Sequence, residues 1–465
     1  MGINKRLKIA LVRPNYHSHL ITPPLGLGYL ASYLKSKGYN PVIIDGLNLG
    51  YSIDKIIEAC RGMDVVGINC LSDYFSEVID LSRALKRKGL TLIIGGPHAS
   101  SLPELTLEET HADYVVVGEG EEALFQLMES IERNESTENL QGIMTKDSKR
   151  IAQRPLIENL DGLPYPDWEQ IDPRSYKRAP HGGLVKSFPI APIISSRGCT
   201  FECTFCASPR LWHRKIRFRS PENVVDEIEF LVKRFKVKEI HFEDDNLTLK
   251  RQHIEDICKS ILRRNLRINW ATPNGIRVDT LDLELLKLMK KSGCYSIAFG
   301  IESGNQKILN NIKKHTSLET VIKAVKLAKK IGIITQGFFI FGLPGETEQT
   351  IQETIDFAKR LPLDKAQFLI LDVLPGSGLW DEIMRGRPAE WAHRSYQEAT
   401  WVPEGIDRAV LNRAPGYAFR TFFLRPRQIF FLLRYFRFSQ IPFIIRRIVD
   451  FNIISFATNR GKKRG

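Results

Sequence analysis

Two stretches of this chain, Leu7 to about Glu129 and Ala191 to about Pro375, alternate short β-branched runs with amphipathic helical segments. Such alternation marks parallel sheets covered by helices, because parallel neighbours need a long crossover between them. The first stretch holds five runs: Lys8 to Val12, Pro41 to Asp45, Val65 to Cys70, Leu90 to Gly95 and Tyr114 to Val117. The second holds six, near Ile193 to Ser196, Glu239 to Glu243, Ile268 to Ala271, Tyr295 to Phe299, Thr335 to Phe341 and Ala366 to Leu371. From about Asn134 to Pro189 the alternation lapses, and Asp161-Gly-Leu-Pro-Tyr-Pro-Asp167 reads as an ordered connector.

The expected fold class is α/β. A flavodoxin-like (Rossmann-like) parallel-sheet domain spans 1–140, a connector 141–190, a partial (β/α)6 TIM-type barrel 191–375, and a mainly helical region 376–465. Ligands of both α/β architectures sit beyond the carboxyl ends of the strands. In the first domain those ends are Pro14-Asn15, Cys70-Leu71-Ser72, Gly95-Gly96-Pro97-His98 and Gly118-Glu119-Gly120-Glu121. Each is also an ordinary turn or helix start. Their recurrence at consecutive strand ends, with glycines that let a ligand approach the backbone, is the stronger signal.

The formal charge of +14 suggests a nucleic-acid partner until its distribution is considered. Eleven Lys and Arg stand against the single Asp450 between Arg420 and Gly465, a net of +10, which leaves +4 for everything else. The folded body therefore has no basic footprint, and nucleic acid is not the expected partner. The tail itself, with Phe422-Phe-Leu-Arg425, Phe430 to Arg437 and Phe443-Ile-Ile-Arg-Arg447, reads either as helices capping the barrel or as a peripheral membrane contact. No apolar stretch approaches the ~20 residues needed to cross a bilayer.

Cys199, Cys203 and Cys206 stand in Ser196-Arg-Gly-Cys-Thr-Phe-Glu-Cys-Thr-Phe-Cys206, just after the first barrel run. Three thiolates on one loop can hold three irons of a cubane cluster and leave the fourth open to a ligand that is not cysteine. A redox catalyst follows from that vacancy. Zinc is the alternative, but it needs a fourth ligand, and only His213 is near in sequence. The chain has seven cysteines, an odd count, and no apolar secretory leader. Cys60, Cys70, Cys258 and Cys294 thus read as buried thiols of a reduced cytoplasmic protein, with Cys294 also able to approach the site.

The cysteine loop, Phe242-Glu-Asp-Asp-Asn246, Phe299-Gly-Ile-Glu-Ser-Gly304 and Gly342-Leu-Pro-Gly-Glu-Thr347 together resemble the radical S-adenosylmethionine (SAM) enzymes. The resemblance implies a [4Fe-4S] cluster on the three cysteines whose open iron chelates SAM and cleaves it reductively to a 5'-deoxyadenosyl radical. Phe205 matches the position whose backbone contacts adenine, and Glu243 and Asp244 match groups presented to the methionine amine. Arg277, Glu302 and Ser303 suit the carboxylate and ribose, although Arg277 could instead pair with Asp279 or Glu302. Gly342 and Leu343, in the run to Gly345, would line adenine by their backbone.

A flavodoxin-like domain upstream resembles the cobalamin-binding class of these enzymes, which implies Leu71, Ser72, Gly95 and Gly96 as walls for cobalamin, with Glu119 and Gly120 beside the corrin. The Asp-x-His-x-x-Gly loop that puts histidine on cobalt is missing, and Asn15-Tyr-His17 is only a partial echo, so no protein histidine is expected on the cobalt. The implied activity is methylation of an unactivated carbon in a lipophilic or secondary-metabolite substrate. The alternatives are a cyclase resembling the anaerobic magnesium-protoporphyrin IX monomethyl ester cyclase, and a non-catalytic scaffold or sensor. A flavodoxin or ferredoxin would donate the electron. The arrangement also requires the corrin face of the first domain to pack over the barrel mouth.

Overall fold

The computed structural model describes residues 6–18, 20–148, 150–178, 185–384, 391 and 398–435. Its first sheet runs β1 (Ile9–Arg13), β2 (Val42–Asp45), β3 (Val65–Asn69), β4 (Thr91–Gly95), β5 (Tyr114–Val116) and β6 (Ile143–Met144). Their spatial order is β2-β1-β3-β4-β5-β6. The first five are parallel in the flavodoxin-like order, with the chain reversing direction across the sheet between β1 and β3. β6 is antiparallel to β5 and was not expected. It is two residues long, too short to show periodicity, and carries the sheet beyond position 140.

The second sheet comprises β7 (Ile190–Ile193), then β10 (Glu239–Phe242), β11 (Asn269–Ile276), β12 (Cys294–Glu302), β13 (Ile334–Phe341) and β14 (Lys365–Ile370), all parallel, in the order β14-β13-β12-β11-β10-β7. This is the open six-stranded barrel. One apolar face packs under the surrounding helices around Trp168, Trp270, Phe299 and Phe341. Along β13 and β14 buried and half-buried residues alternate, so Phe338, Ile340 and Leu369 occupy the opposite, inner face.

The strand expected at Ile193 to Ser196 is broken in two. β7 ends at Ile193, and Ser196–Arg197 forms a separate strand, β8, paired antiparallel with β9 (Arg217–Phe218). Two serines and an arginine gave no period-2 signal to reveal the break.

The described part of the tail belongs to the core. Helix Arg408–Phe423 buries Leu411, Ala414, Ala418 and Phe422, and the Phe422 ring lies edge-on to Phe368 of β14 at 6.1 Å. Gln428 Nε2 then donates to the Leu363 carbonyl at 3.0 Å. Phe430 and Leu433 are exposed, and the segment Phe443 to Arg447 lies outside the described residues. Among the described residues no helix is long and apolar enough to cross a membrane. Phe422→Ala should lower stability in chemical denaturation by about 3–5 kcal/mol, whereas Phe430→Ala should stay within about 0.5 kcal/mol of wild type.

Candidate active site

The ribbon β8–β9 is the neck of the cysteine loop, framing residues 198–216. Gly198 has φ +101°, and a Cβ there would collide with the Lys215 carbonyl oxygen. Its amide donates to Asp245 at 3.0 Å, fixing the loop against the end of β10. Thr204 anchors the far side, its amide donating to the Ile312 carbonyl and its carbonyl accepting from Leu379.

The three thiols are half-buried and within electrostatic reach of one another. Burial pushes all three up, Cys206 to about 12, while Lys314 and Arg277 pull Cys203 back. Neutral thiols of this kind are converted to thiolates by a bound metal's own charge. Among the described residues no three His, Cys, Asp or Glu side chains converge as for a single ion. Three thiols of one loop, Cys203 and Cys206 at the two ends of a single turn and Cys199 before it, fit a larger group touched at separate metal atoms. Cys294 opens β12 at the opposite end of the barrel and is buried there.

Glu302 ends β12 with φ +67°, at a register shift against β13, and is buried in an ion pair with Lys314 at 2.7 Å. Burial alone would lower Lys314, but Glu302 and Cys203 outweigh it and raise it. The Lys314 ammonium also lies 5.8 Å from the Phe205 ring. Arg277 stacks 3.6 Å over Phe201 of the cysteine loop and forks onto Asp279 at 3.0 and 2.8 Å. Its Nη1 is buried without a hydrogen-bond partner, as are both amide atoms of Asn246. Those orphaned polar atoms at the ends of β10 and β11, tied together by Thr248 and Thr280, fit a polar cosubstrate beside the cysteines.

Several expected contacts turn inward instead. Asp244 is fully buried, accepting from the Ser195 amide (3.1 Å) and hydroxyl (2.7 Å) and the Ser196 hydroxyl (2.6 Å), which bolts β10 to the β7–β8 break. Its neighbour Glu243 stays half-exposed at the strand end. Ser303 accepts from the Asn305 amide and meets Thr354 at 3.2 Å, so it is spent on the turn that leads into the Asn305-capped helix Gln306–Asn311. The Gly342 and Leu343 amides both donate to Glu346, at 2.6 and 3.1 Å, leaving neither for adenine. Phe205 does pack beside Leu343.

In the first domain Leu71, Ser72, Gly95 and Gly96 gather at the ends of β3 and β4. Ser72 bonds His98 at 2.9 Å, and His98 stacks on Phe75. A Cβ on Gly95 would meet only Val116, at 3.7 Å, and on Gly118 nothing within 4 Å, so these two positions leave space that fits a bulky ligand, whereas one on Gly96, with φ +112°, would collide with the Cys70 carbonyl oxygen at 2.7 Å. Glu119 and Gly120 do not border it. Glu119 is buried, accepting from Arg197 (2.7 Å), Arg217 (2.6 Å) and the Ile157 amide (2.7 Å), and a Cβ on Gly120 would meet Leu30 at 3.0 Å. Helix Pro97–Ser101, which follows β4, packs on Ser208–Leu211, which follows Cys206. The carboxyl edge of the first sheet thus lies beside the cysteine loop, the packing that the resemblance to the cobalamin-binding class implies.

Residues 16–128 match the B12 binding domain, and residues 193–358 the radical SAM superfamily. The chain is 32% identical over 462 residues to an uncharacterized methyltransferase of Pyrococcus horikoshii, covering 96% of this chain and 98% of the relative. It is 31% identical to the cytidylyl-2-hydroxyethylphosphonate methyltransferase of Streptomyces wedmorensis, covering 78% of each chain. It is also 30% identical to the anaerobic magnesium-protoporphyrin IX monomethyl ester cyclase of Rubrivivax gelatinosus, covering 90% of this chain and 78% of the cyclase. A radical SAM methyltransferase of Kitasatospora setae, solved with cobalamin and a [4Fe-4S] cluster, shares the fold with a TM-score of 0.69 at 20% identity, covering 82% of this chain and 75% of that one.

Glu346 gives this region a pH signature. Burial pushes its carboxyl from 4.5 to about 8 against the pull of the Leu343 and Gly342 amides. Between those values the native state holds a proton that the unfolded chain has lost, so this group's contribution to stability falls as pH rises. Measured by denaturation, wild type should lose stability relative to Glu346→Gln from about pH 5 to about pH 8 and level off above. A constant difference across that window would contradict the assignment.

Proposed function

This chain belongs to the cobalamin-binding radical SAM enzymes of the methyltransferase type, and we propose that it methylates an unactivated carbon of a small, largely apolar metabolite. Its cofactors, a [4Fe-4S] cluster, SAM and cobalamin, supply when bound a radical for hydrogen abstraction and a methyl group for transfer. The observation that carries the reading is the seating of the first sheet's carboxyl edge on the residues just after Cys206. Two cofactor sites facing one mouth suit a reaction in which one activates the carbon that the other alkylates.

Within that reading Cys199, Cys203 and Cys206 hold the cluster. Glu243, Arg277 and Glu302 serve SAM, with Lys314 fixing the strained Glu302 and Phe201 holding the Arg277 fork in place. Phe205 flanks the adenine side. Leu71, Ser72, Gly95 and Gly96 line cobalamin. Phe338, Ile340 and Leu369, half-buried on the inner barrel face, support an apolar substrate wall. A flavodoxin- or ferredoxin-type protein of the cytoplasm donates the electron. The packing of helix Arg408–Phe423 on β14 supports a capping role for that part of the tail over a membrane role.

The test is product analysis with methyl-labelled SAM and reduced, reconstituted protein. Label in the product and 5'-deoxyadenosine formation, both falling to background in Cys203→Ala, are expected. An unlabelled cyclised product would replace methyl transfer with the cyclase reading.

A further inference from the structure

We propose that Glu119 and Glu121 are positioning residues of the cluster loop: two carboxylates of the cobalamin-binding domain clamp both ends of the loop that carries the three cysteines. The inference rests on the family reading for what the loop holds, and on geometry for how it is held.

The ribbon β8–β9 sets Arg197 directly opposite Arg217. Like charges facing each other across an antiparallel pair repel, and both side chains are buried, at 8% and 5% exposure. A ribbon with two residues per strand has too few hydrogen bonds to hold itself. Glu119 resolves both problems, taking Arg197 on one carboxylate oxygen at 2.7 Å and Arg217 on the other at 2.6 Å. Glu121 takes the second Arg197 nitrogen at 2.7 Å, which brings the buried group of four to neutrality. Tyr29 of the first domain adds its ring face 5.1 Å from the Arg197 guanidinium.

Both carboxylates come from the start of the helix Gly120–Glu132 that follows β5, and both guanidiniums from the two strands that frame the cysteines. Arg197 stands two residues before Cys199, and Arg217 eleven after Cys206. The root of the loop is therefore held by carboxylates of the neighbouring domain, while Asp245 and Ile312 hold its body from the barrel side. Removing one partner from such a buried network strands the others, a change far costlier than loss of a surface pair. Buried charge thus adds a directional tie between the two domains, beside the apolar packing of Leu25 and Ile43 on the barrel core.

The test uses the full chain as Glu119→Gln, the doubly neutralised Glu119→Gln/Arg217→Gln, and Glu222→Gln, an exposed partner of Arg263, as control. Two readouts apply: the EPR g-values of the reduced cluster in reconstituted protein, and the alkylation rate of Cys199, Cys203 and Cys206 relative to Cys60 in metal-free protein. Glu119→Gln should bind cobalamin as wild type does, shift the g-values, and speed loop alkylation by about tenfold, equivalent to about 1.4 kcal/mol of easier opening. The double variant should remain as fast, because restored neutrality does not rebuild the clamp. Wild-type behaviour in Glu119→Gln, or recovery in the double variant, would overturn the proposal, the latter by reducing Glu119 to a neutralising charge. Should Glu119→Gln fail to fold, Glu121→Gln, which keeps Glu119 between the arginines, should speed alkylation by about threefold, and no change would overturn it. Failure of wild type to hold iron and cobalamin would refute the family reading instead, while the alkylation comparison still decides the clamp.

Discussion

The arrangement of this molecule depends on a buried group of charges, Arg197 and Arg217 from the barrel side and Glu119 and Glu121 from the first domain. Buried ion pairs seldom add much net stability, because desolvation offsets most of their attraction. Their value is directional: a guanidinium fork shared between two carboxylates tolerates little displacement. Here that stiffness sits at the root of the cysteine loop. Around it lie further cross-ties of the same kind, with Arg219 bonded to Glu227, and Glu227 accepting in turn from Trp168 of the connector.

A second tier of polar contacts shapes the barrel mouth from within. Asp244 ties β10 to the β7–β8 break, Glu346 gathers the amides of the glycine turn, and Ser303 holds the amide of Asn305, the cap of the helix after β12. None of them presents its polar atoms to the mouth, yet each fixes a neighbour that is better placed to do so. Glu243 stands beside Asp244, and Glu302 directly precedes Ser303. The mouth is left with Glu243, the Glu302–Lys314 pair and the orphaned Arg277 and Asn246 atoms.

Sequence reading carried the architecture because strand and helix periods are local properties. The parallel order and the cysteine loop were both legible, and the edge-over-mouth packing followed from the resemblance to the cobalamin-binding class. It did not carry direction. Asp244 and Glu243 are adjacent acids of the same strand end, and only the period-2 pleat and the serines of another strand decide which one is swallowed. Glu119 looked like a corrin neighbour because it follows a ligand-facing strand end. Its true partners lie 78 and 98 positions away, beyond the reach of any local pattern. A faint signal existed in retrospect: Glu119 and Glu121 are two acids spaced to share one cation, and Arg197 was a cation with no local partner. Lys314 was missed for the same reason, its role visible only once β12 bends at Glu302.

The central claim is that the two cofactor sites open on one space across a domain boundary held rigid by charge. The most direct measurement is the EPR spectrum of the full chain carrying both reduced cluster and cob(II)alamin. The account predicts a cluster signal broadened and relaxed faster by the nearby cobalt spin than in cobalamin-free protein. A spectrum equal to the sum of two independent centres would contradict it.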